Sequence, residues 1–338
     1  MNVCPIRPIR TRPIRSRAAR SRRITATVVA AAAALGLVTL SACSTGTAGA
    51  RTPDGRLRVV ASFYPMQFLA ERIGGDHVSV TTLTKPGAEP HDLELTPRQT
   101  GSLARAGAVL YLKGIQPAVD TAIKQSENKH VADAASFTGL EEHGTEVDGE
   151  HHTTGDNSSH SEHEGGSDPH IWLDPVKYAE VAKGVARTLA EADPDHAADY
   201  TRNADALAGK LGDLDKKFRD GLAHRTSDTF ITTHAAFGYL AERYGLVEES
   251  VSGVDPESEP SAARVKELHK LAEEHHVGTV FFETLASPAT ARTLASDLKL
   301  KTDVLDPLEG ITDDSRGHDY LEVMESNLTA LRKALGAR

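Results

Sequence analysis

Four short segments of the chain carry residues able to hold a metal ion. His91 lies in GAEPHDLELTP, His170 in DPHIWLDP, His234 in ITTHAAFGYL and Glu309 in VLDPLEG. His91 follows a predicted strand at 77–83, His234 follows one at 229–233, and Glu309 follows one at 302–306. Ligands of open α/β sheets collect beyond the carboxyl ends of strands. Three imidazoles and a carboxylate form a complete tetrahedral set for Zn²⁺. Taken singly, each histidine also fits a loop or capping role, and Glu309 fits a helix cap or a surface acid. Glu283, in FFETLASP, follows a strand too and fits either a ligand or a group that orients one.

A second concentration of imidazole is of a different kind. The stretch EEHGTEVDGEHHTTGDNSSHSEHEGGSDPHIWLDP begins at Glu141 and holds His143, His151, His152, His160, His163 and His170. No Lys or Arg occurs between Lys129 and Lys177. Its Gly, Ser, Asp and Glu cannot bury enough apolar area to fold. A mobile, cation-attracting loop over 141–168 is expected, with His143, His151, His152, His160 and His163 as auxiliary metal donors. His170 sits apart from these, in the apolar frame of Ile171-Trp172-Leu173.

The elements that must position these residues begin after an export signal. Residues 1–23 carry eight arginines and no acid, and an apolar run from Ile24 to Leu40 leads into Leu-Ser-Ala-Cys at 40–43. A positive n-region, an apolar h-region and small residues before a cut make a secretory signal. The ending resembles a bacterial lipobox, with Cys43 lipidated and 1–42 removed. A plain transmembrane anchor is disfavoured, because the run is short and rich in Ala and Thr. Ser21-Arg22-Arg23 leaves both the general and the twin-arginine export routes open.

Cys4 and Cys43 are the only cysteines, so the exported body has no disulfide and no thiolate for a metal. Removing the signal takes the net charge from −10 to −18. Such a body attracts cations and repels nucleic acid.

After a polar tether at 43–56, strands alternate with helices. LRVVASF, HVSVTTLT and AVLYL read as strands, and TPRQTGSLARAG reads as a capped helix. This is an α/β lobe with a largely parallel sheet, spanning 57–192. A helical stripe follows: Tyr200, Ala204, Leu207, Leu211, Leu214, Phe218 and Leu222 recur at steps of three and four. Asp193-Pro194 reads as its N-cap and first helical position. A helix over 194–223 would be about 45 Å long. It makes 193–226 a strut between lobes, and TFITT, LVEESV, GTVFFE and TDVLD build a second α/β lobe over 227–338. No internal sequence repeat is evident.

The four donor-bearing motifs, in this order, resemble the metal-binding solute receptors of ABC importers, in the zinc/manganese cluster. The resemblance covers essentially 57–338, and DPHIWLDP is its most specific motif. It implies two α/β lobes joined by one rigid helix, with the metal in the interlobe cleft. Carried over by motif, His91, His170, His234 and Glu309 are the ligands. Manganese members tend to place a carboxylate where this chain has His234, and three imidazoles suit zinc. An acidic, His-rich loop in this position is also typical of zinc members. The chain departs from the pattern in lacking a second-lobe disulfide, and in having Gln116-Pro117 where relatives often place an acid. Asp92 and Glu94 are assigned no more than orientation of His91.

The expectation is a monomeric, lipid-anchored, extracytoplasmic Zn²⁺ receptor that serves an ABC permease and its ATPase and catalyses nothing. A manganese or iron receptor is the alternative within the class. From other classes, a zinc hydrolase would use Glu309 or Glu283 as base, and a surface adhesin would need only the anchor and an exposed patch. Against the hydrolase, no His-Glu-x-x-His helix is present.

Overall fold

The computed structural model describes residues 49–143, 167–256, 261–285 and 289–338. Cys43, His151, His152, His160 and His163 lie outside the described residues, as do the signal and the start of the tether. Thr47–Arg338 forms one compact unit.

Two four-stranded sheets, parallel throughout, organise this unit. The first contains β1 (Leu57–Ala61), β2 (Val78–Thr82), β3 (Ala108–Tyr111) and β4 (Val131–Asp133), in the order β2-β1-β3-β4. The second contains β5 (Thr229–Thr232), β6 (Val247–Ser250), β7 (Thr279–Phe282) and β8 (Lys301–Val304), in the order β6-β5-β7-β8. The two orders are equivalent, so the lobes repeat in topology although their sequences do not.

Parallel sheets need helical crossovers and are covered on both faces. In the first lobe the crossovers include α1 (Tyr64–Gly74), α2 (Pro97–Arg105) and α3 (Pro117–Gln125), with a single turn α4 (Ala135–Thr138) after β4. The anticipated cap of α2 is a full capping box: Thr96 Oγ1 accepts from Gln99 N at 3.3 Å, and Gln99 Oε1 accepts from Thr96 N at 3.0 Å. In the second lobe they include α7 (Gly238–Tyr244), α8 (Ala262–Glu274) and α9 (Ala289–Leu298).

Two long helices lie between the sheets in sequence, α5 (Pro175–Ala192) and α6 (Ala197–Leu222), and they pack along each other. The helical stripe anticipated for α6 is buried at every position. This helix also packs on α1 of the first lobe and on α10 (Tyr320–Ala334), which follows the second sheet. One continuous core therefore runs from Leu57, Phe63 and Ile73, through Trp172 and the α6 stripe, to Phe230, Phe281 and Leu305. Each sheet keeps a separate core on its other face, around Val60, Leu103 and Val109 in one lobe and Ile231, Leu268 and Val280 in the other.

The start of α6 differs from the sequence expectation. A 3₁₀ turn at Pro194–His196 precedes the helix, and Asp193 makes no side-chain cap to it. Its buried carboxylate instead accepts from Arg51 at 2.7 Å, His196 at 2.8 Å and Tyr200 at 2.7 Å. Charge-assisted bonds to side chains outcompete a neutral backbone cap.

The described ends of the His-rich tract, at 141–143 and 167–168, are held in place; the rest of the mobile loop expected over 141–168 lies outside the described residues. Glu141 and Asp168 form an antiparallel bridge, Glu141 N donates to Tyr239 Oη at 2.7 Å, and Tyr239 Oη donates to Asp168 O at 2.9 Å.

Candidate metal centre

His170 is held by the rigid frame of its motif. Ile171–Leu173 is a buried 3₁₀ turn, and Asp174 then caps α5 by accepting from Val176 N at 2.8 Å. Arg243 of α7 donates to that same carboxylate at 2.8 Å. Trp172 Nε1 donates to Pro307 O at 2.7 Å, and Tyr320 Oη donates to Trp172 O at 2.6 Å. The motif is thereby pinned to the loop that carries Glu309.

That loop is itself over-determined. Leu308 has φ of 60°, a conformation costly for a γ-branched residue. It is held there because Asn327 brackets Asp306, accepting from its N–H at 2.9 Å and donating to its C=O at 2.7 Å. Asp306 Oδ1 in turn accepts from Leu308 N at 2.8 Å. His234 follows β5, where Glu248 ties the segment down by accepting from Thr232 Oγ1 at 2.8 Å and Phe237 N at 3.0 Å. His91 lies in the loop after β2, with its backbone N–H on Glu89 Oε1 at 3.2 Å.

These placements bring the four expected residues together. Nε2 of His170, His91 and His234 lie 3.0, 3.2 and 3.6 Å from a single atom, Glu309 Oε1. The rings form a triangle with centroid separations of 5.4, 5.7 and 6.5 Å. His170, His234 and Glu309 are fully buried, and His91 closes the outer side with its side chain 13% exposed. The donors fall into two overlapping groups that share Glu309, namely His91 and His170 in one and His234 with Glu283 in the other, so His234 stands slightly back.

Carboxylates behind two rings fix their tautomers. Asp168 Oδ1 lies 2.7 Å from His170 Nδ1, and Glu283 Oε1 lies 2.6 Å from His234 Nδ1. With Nδ1–H donated outward, each neutral ring turns a lone pair toward Glu309. A lone pair facing a carboxylate is repulsive, so the gap must hold a proton or a metal cation. Burial opposes charge on His170, yet its bonds to Asp168 and Glu309 outweigh this and raise its pKa to about 9. His234 is raised well above the usual imidazole range by Glu283 and Glu309, again against burial. Burial would push Glu309 up, but the bonds from His170 and His91 and the proximity of His234 hold it well below the carboxylate range. Nε2 of His234 and Oε2 of Glu309 remain buried without a hydrogen-bond partner, a cost a native site seldom carries unless a ligand meets it.

The edges that meet at Glu309 suit a metal of zinc's size. At metal–ligand distances of about 2.0–2.1 Å, the edge of a ligand tetrahedron is roughly 3.3 Å. The three nitrogen–oxygen edges to Glu309, 3.0, 3.2 and 3.6 Å, bracket that value, whereas His234 falls outside the 4.8 Å group formed by His91, His170 and Glu309 and would have to move inward to complete a tetrahedron.

Other sequence expectations come out differently. Glu283 lies on the Nδ1 side of His234 and also accepts from Thr233 Oγ1 at 2.6 Å, so it orients the ring. Asp92 and Glu94 are exposed, and Glu89 takes the place beside His91. Burial and then the charge of Glu309 push the Glu89 pKa up to about 8. Asp168, assigned by sequence to the mobile loop, is fully buried and bonded to His170. Its signal was its place two residues before the histidine. His143 is no free loop imidazole either: Nδ1 meets Asp168 Oδ2 and Nε2 meets Glu242 Oε2, both at 3.1 Å. With Glu141 and Glu242 it forms a separate donor group outside the centre.

Two parallel α/β lobes with a buried donor cluster between them, packed on a common long helix, define a two-lobed solute-binding protein. A profile of the family described as zinc-uptake complex component A, periplasmic, matches residues 59–334, and the chain belongs to that family. The zinc-binding lipoprotein AdcA of Streptococcus pneumoniae strain R6 is 35% identical over 303 residues, covering 87% of this chain and 58% of the relative. The chain thus spans little more than half of that longer protein. The high-affinity zinc uptake system protein ZnuA of Bacillus subtilis strain 168 is 34% identical over 313 residues, covering 89% of this chain and 97% of the relative. Among solved structures, the Zn(II)-bound ZnuA-like domain of S. pneumoniae AdcA superposes with a TM-score of 0.68 at 32% identity, over 83% of this chain and 99% of that domain.

Proposed function

We propose that this protein is an extracytoplasmic receptor that captures Zn²⁺ and delivers it to an ABC permease driven by its ATPase. His91, His170, His234 and Glu309 supply the ligands, from lobes spanning 57–192 and 227–338 on either side of the helix at 193–226. Cys43 carries the lipid that holds the receptor, as a monomer, at the cell membrane. The reading involves no chemistry on the cargo.

The observation that carries it is the convergence of three imidazole Nε2 atoms on Glu309 Oε1, with Nδ1 of His170 and His234 held by carboxylates. Nitrogen-rich sites favour zinc over manganese by the Irving–Williams order. Zinc binding by the named relatives supports the same cargo. The histidines of the 141–168 tract, His143, His151, His152, His160 and His163, add weaker Zn²⁺ capacity.

Competition titration of Zn²⁺ and Mn²⁺ tests this reading, on wild type, His234→Glu and a variant lacking 144–166. One tight Zn²⁺ site is expected in wild type and in the deletion, and His234→Glu should lower zinc affinity more than manganese affinity. Preference of wild type for Mn²⁺ would overturn the cargo assignment. Loss of the tight site on deletion would move the metal from the cleft to the tract.

A further inference from the structure

An arginine pocket lies on the outer face of the first lobe, outside the metal centre. It is a depression of about 400 Å³ between the edge strand β2 and helix α2, with Arg58, Arg98 and Arg105 among its walls. The fold builds it in a simple way. Arg58 pairs in register with Ser79, and Val60 pairs with Thr81, so these four side chains share one face of the sheet edge. Arg98 and Arg105 lie seven residues apart on α2, two turns along one face of the helix. Arg105 folds back over its own helix, since a Cβ on Gly101 would lie 3.0 Å from its Nη1. Buried Val59 and Val60 contribute to the lining beneath.

The charges in this pocket are unbalanced. Arg51, Arg56 and Arg72 of the same lobe are paired with Asp193, Asp54 and Asp319. Among the described residues, Arg58, Arg98 and Arg105 have no carboxylate partner, and all three are exposed. Arg58 spends only its Nε, on Arg51 O at 2.9 Å. In a chain of net charge −10, three arginines that line one depression without acids call for an anion from outside. Guanidinium forks match phosphate oxygens, and the hydroxyls of Ser79 and Thr81 stand on the same wall.

The path of the chain identifies the source of that anion. Gly49 lines the same pocket and packs against the stem of Arg105. It lies only six positions after Cys43, a reach of about 20 Å when fully extended. We propose that Arg58, Arg98 and Arg105 bind phosphodiester headgroups of anionic lipid at the membrane surface and fix the orientation of the first lobe there. The inference rests on the proposed anchoring at Cys43. Tethering on so short a linker gives millimolar effective concentrations, so a weak site of this kind is occupied although the body as a whole is acidic.

The test uses residues 43–338, which include the compact unit and a single cysteine. Coupling the Cys43 thiol to a maleimide lipid places the body on vesicles without depending on cellular lipidation. Arginine modification by phenylglyoxal is then read by mass spectrometry on vesicles of phosphatidylcholine alone or mixed with phosphatidylglycerol. Phosphatidylglycerol should slow modification of Arg58, Arg98 and Arg105 by about fivefold each, and leave exposed Arg292 of α9 unchanged. Equal rates on both vesicles, or slowing of Arg292 to the same degree, would overturn the proposal. So would equal protection by millimolar inorganic phosphate without vesicles, which would make the pocket a small-anion site. Labelling of the full chain in cells with a radioactive fatty acid tests the anchor separately.

Discussion

Asp168 Oδ1 accepts from His170 Nδ1 over 2.7 Å and from the His170 backbone N–H over 2.9 Å. Its other oxygen faces His143 Nδ1 at 3.1 Å. One buried carboxylate thus sets both the tautomer and the ring plane of a candidate ligand. Removing such a partner typically costs ten- to a hundredfold in metal affinity. Asp168→Asn is expected to weaken Zn²⁺ binding by about that factor, and His143→Gln by less than about tenfold, because it acts one bond further away. Competition titration checks both, and unchanged affinity in Asp168→Asn would remove the orienting role.

Zinc binding at the proposed site would displace protons from His170 and His234. The His170 pKa, lowered by burial but raised further by Asp168 and Glu309, stands at about 9, and that of His234 is raised as well. Below those values the metal-free rings of His170 and His234 are protonated, so apparent zinc affinity should climb as pH rises from neutral toward about 9. Calorimetry in buffers of different ionisation enthalpy should detect release of more than one proton per zinc at neutral pH. Binding without proton release would contradict the protonated resting state.

Trp172 joins the two halves of the site through its indole N–H on Pro307 O at 2.7 Å. Trp172→Phe leaves that buried carbonyl without a donor and removes part of a fully buried ring. A loss of roughly 2–3 kcal/mol is expected in metal-free protein. Urea denaturation would show it, and Zn²⁺ should recover part of the loss by binding only the folded form. A midpoint equal to wild type would mean the bond does not contribute.

Burial pushes the Glu248 pKa from 4.5 up to about 7, against the bonds it accepts from Thr232 and Phe237. The folded state therefore binds this proton more tightly than the unfolded chain. The stability it contributes is complete below pH 4.5 and is lost as pH rises through about 7. The shift corresponds to roughly 3 kcal/mol. Glu248→Gln keeps an acceptor for Phe237 N–H, and the Thr232 hydroxyl can turn to accept from the new amide. The variant should show a flatter fall in metal-free Tm between pH 5 and pH 8 than wild type. Parallel profiles would exclude Glu248 as the source of the slope.

Much of the architecture was legible because it is local. The α6 stripe from Tyr200 to Leu222 follows the helical period and is buried throughout. The capping box at Thr96 and Gln99 needs only three residues of spacing. Alternating strands and helices gave two parallel α/β lobes, and the short motifs gave His91, His170, His234 and Glu309. The separate helix α5 was not anticipated, although Asp174-Pro175 marks its start with the cap and first-turn proline expected of a helix. Its sequence lies between two louder signals, the His-rich tract and the α6 stripe.

The chemical types in the site, their order along the chain and the elements that carry them were thus determined by the sequence alone. Which atoms meet was decided only in three dimensions. His91 and Glu309 are 218 residues apart, yet Nε2 and Oε1 come within 3.2 Å. Asp168 and Glu283 became the orienting carboxylates, while Asp193 left its expected cap for Arg51 and Tyr200. Periodicity and capping report the path of a few consecutive residues. The choice among several nearby acids is made by burial and by the competition of charged partners, and both exist only once the lobes have packed against the helix between them.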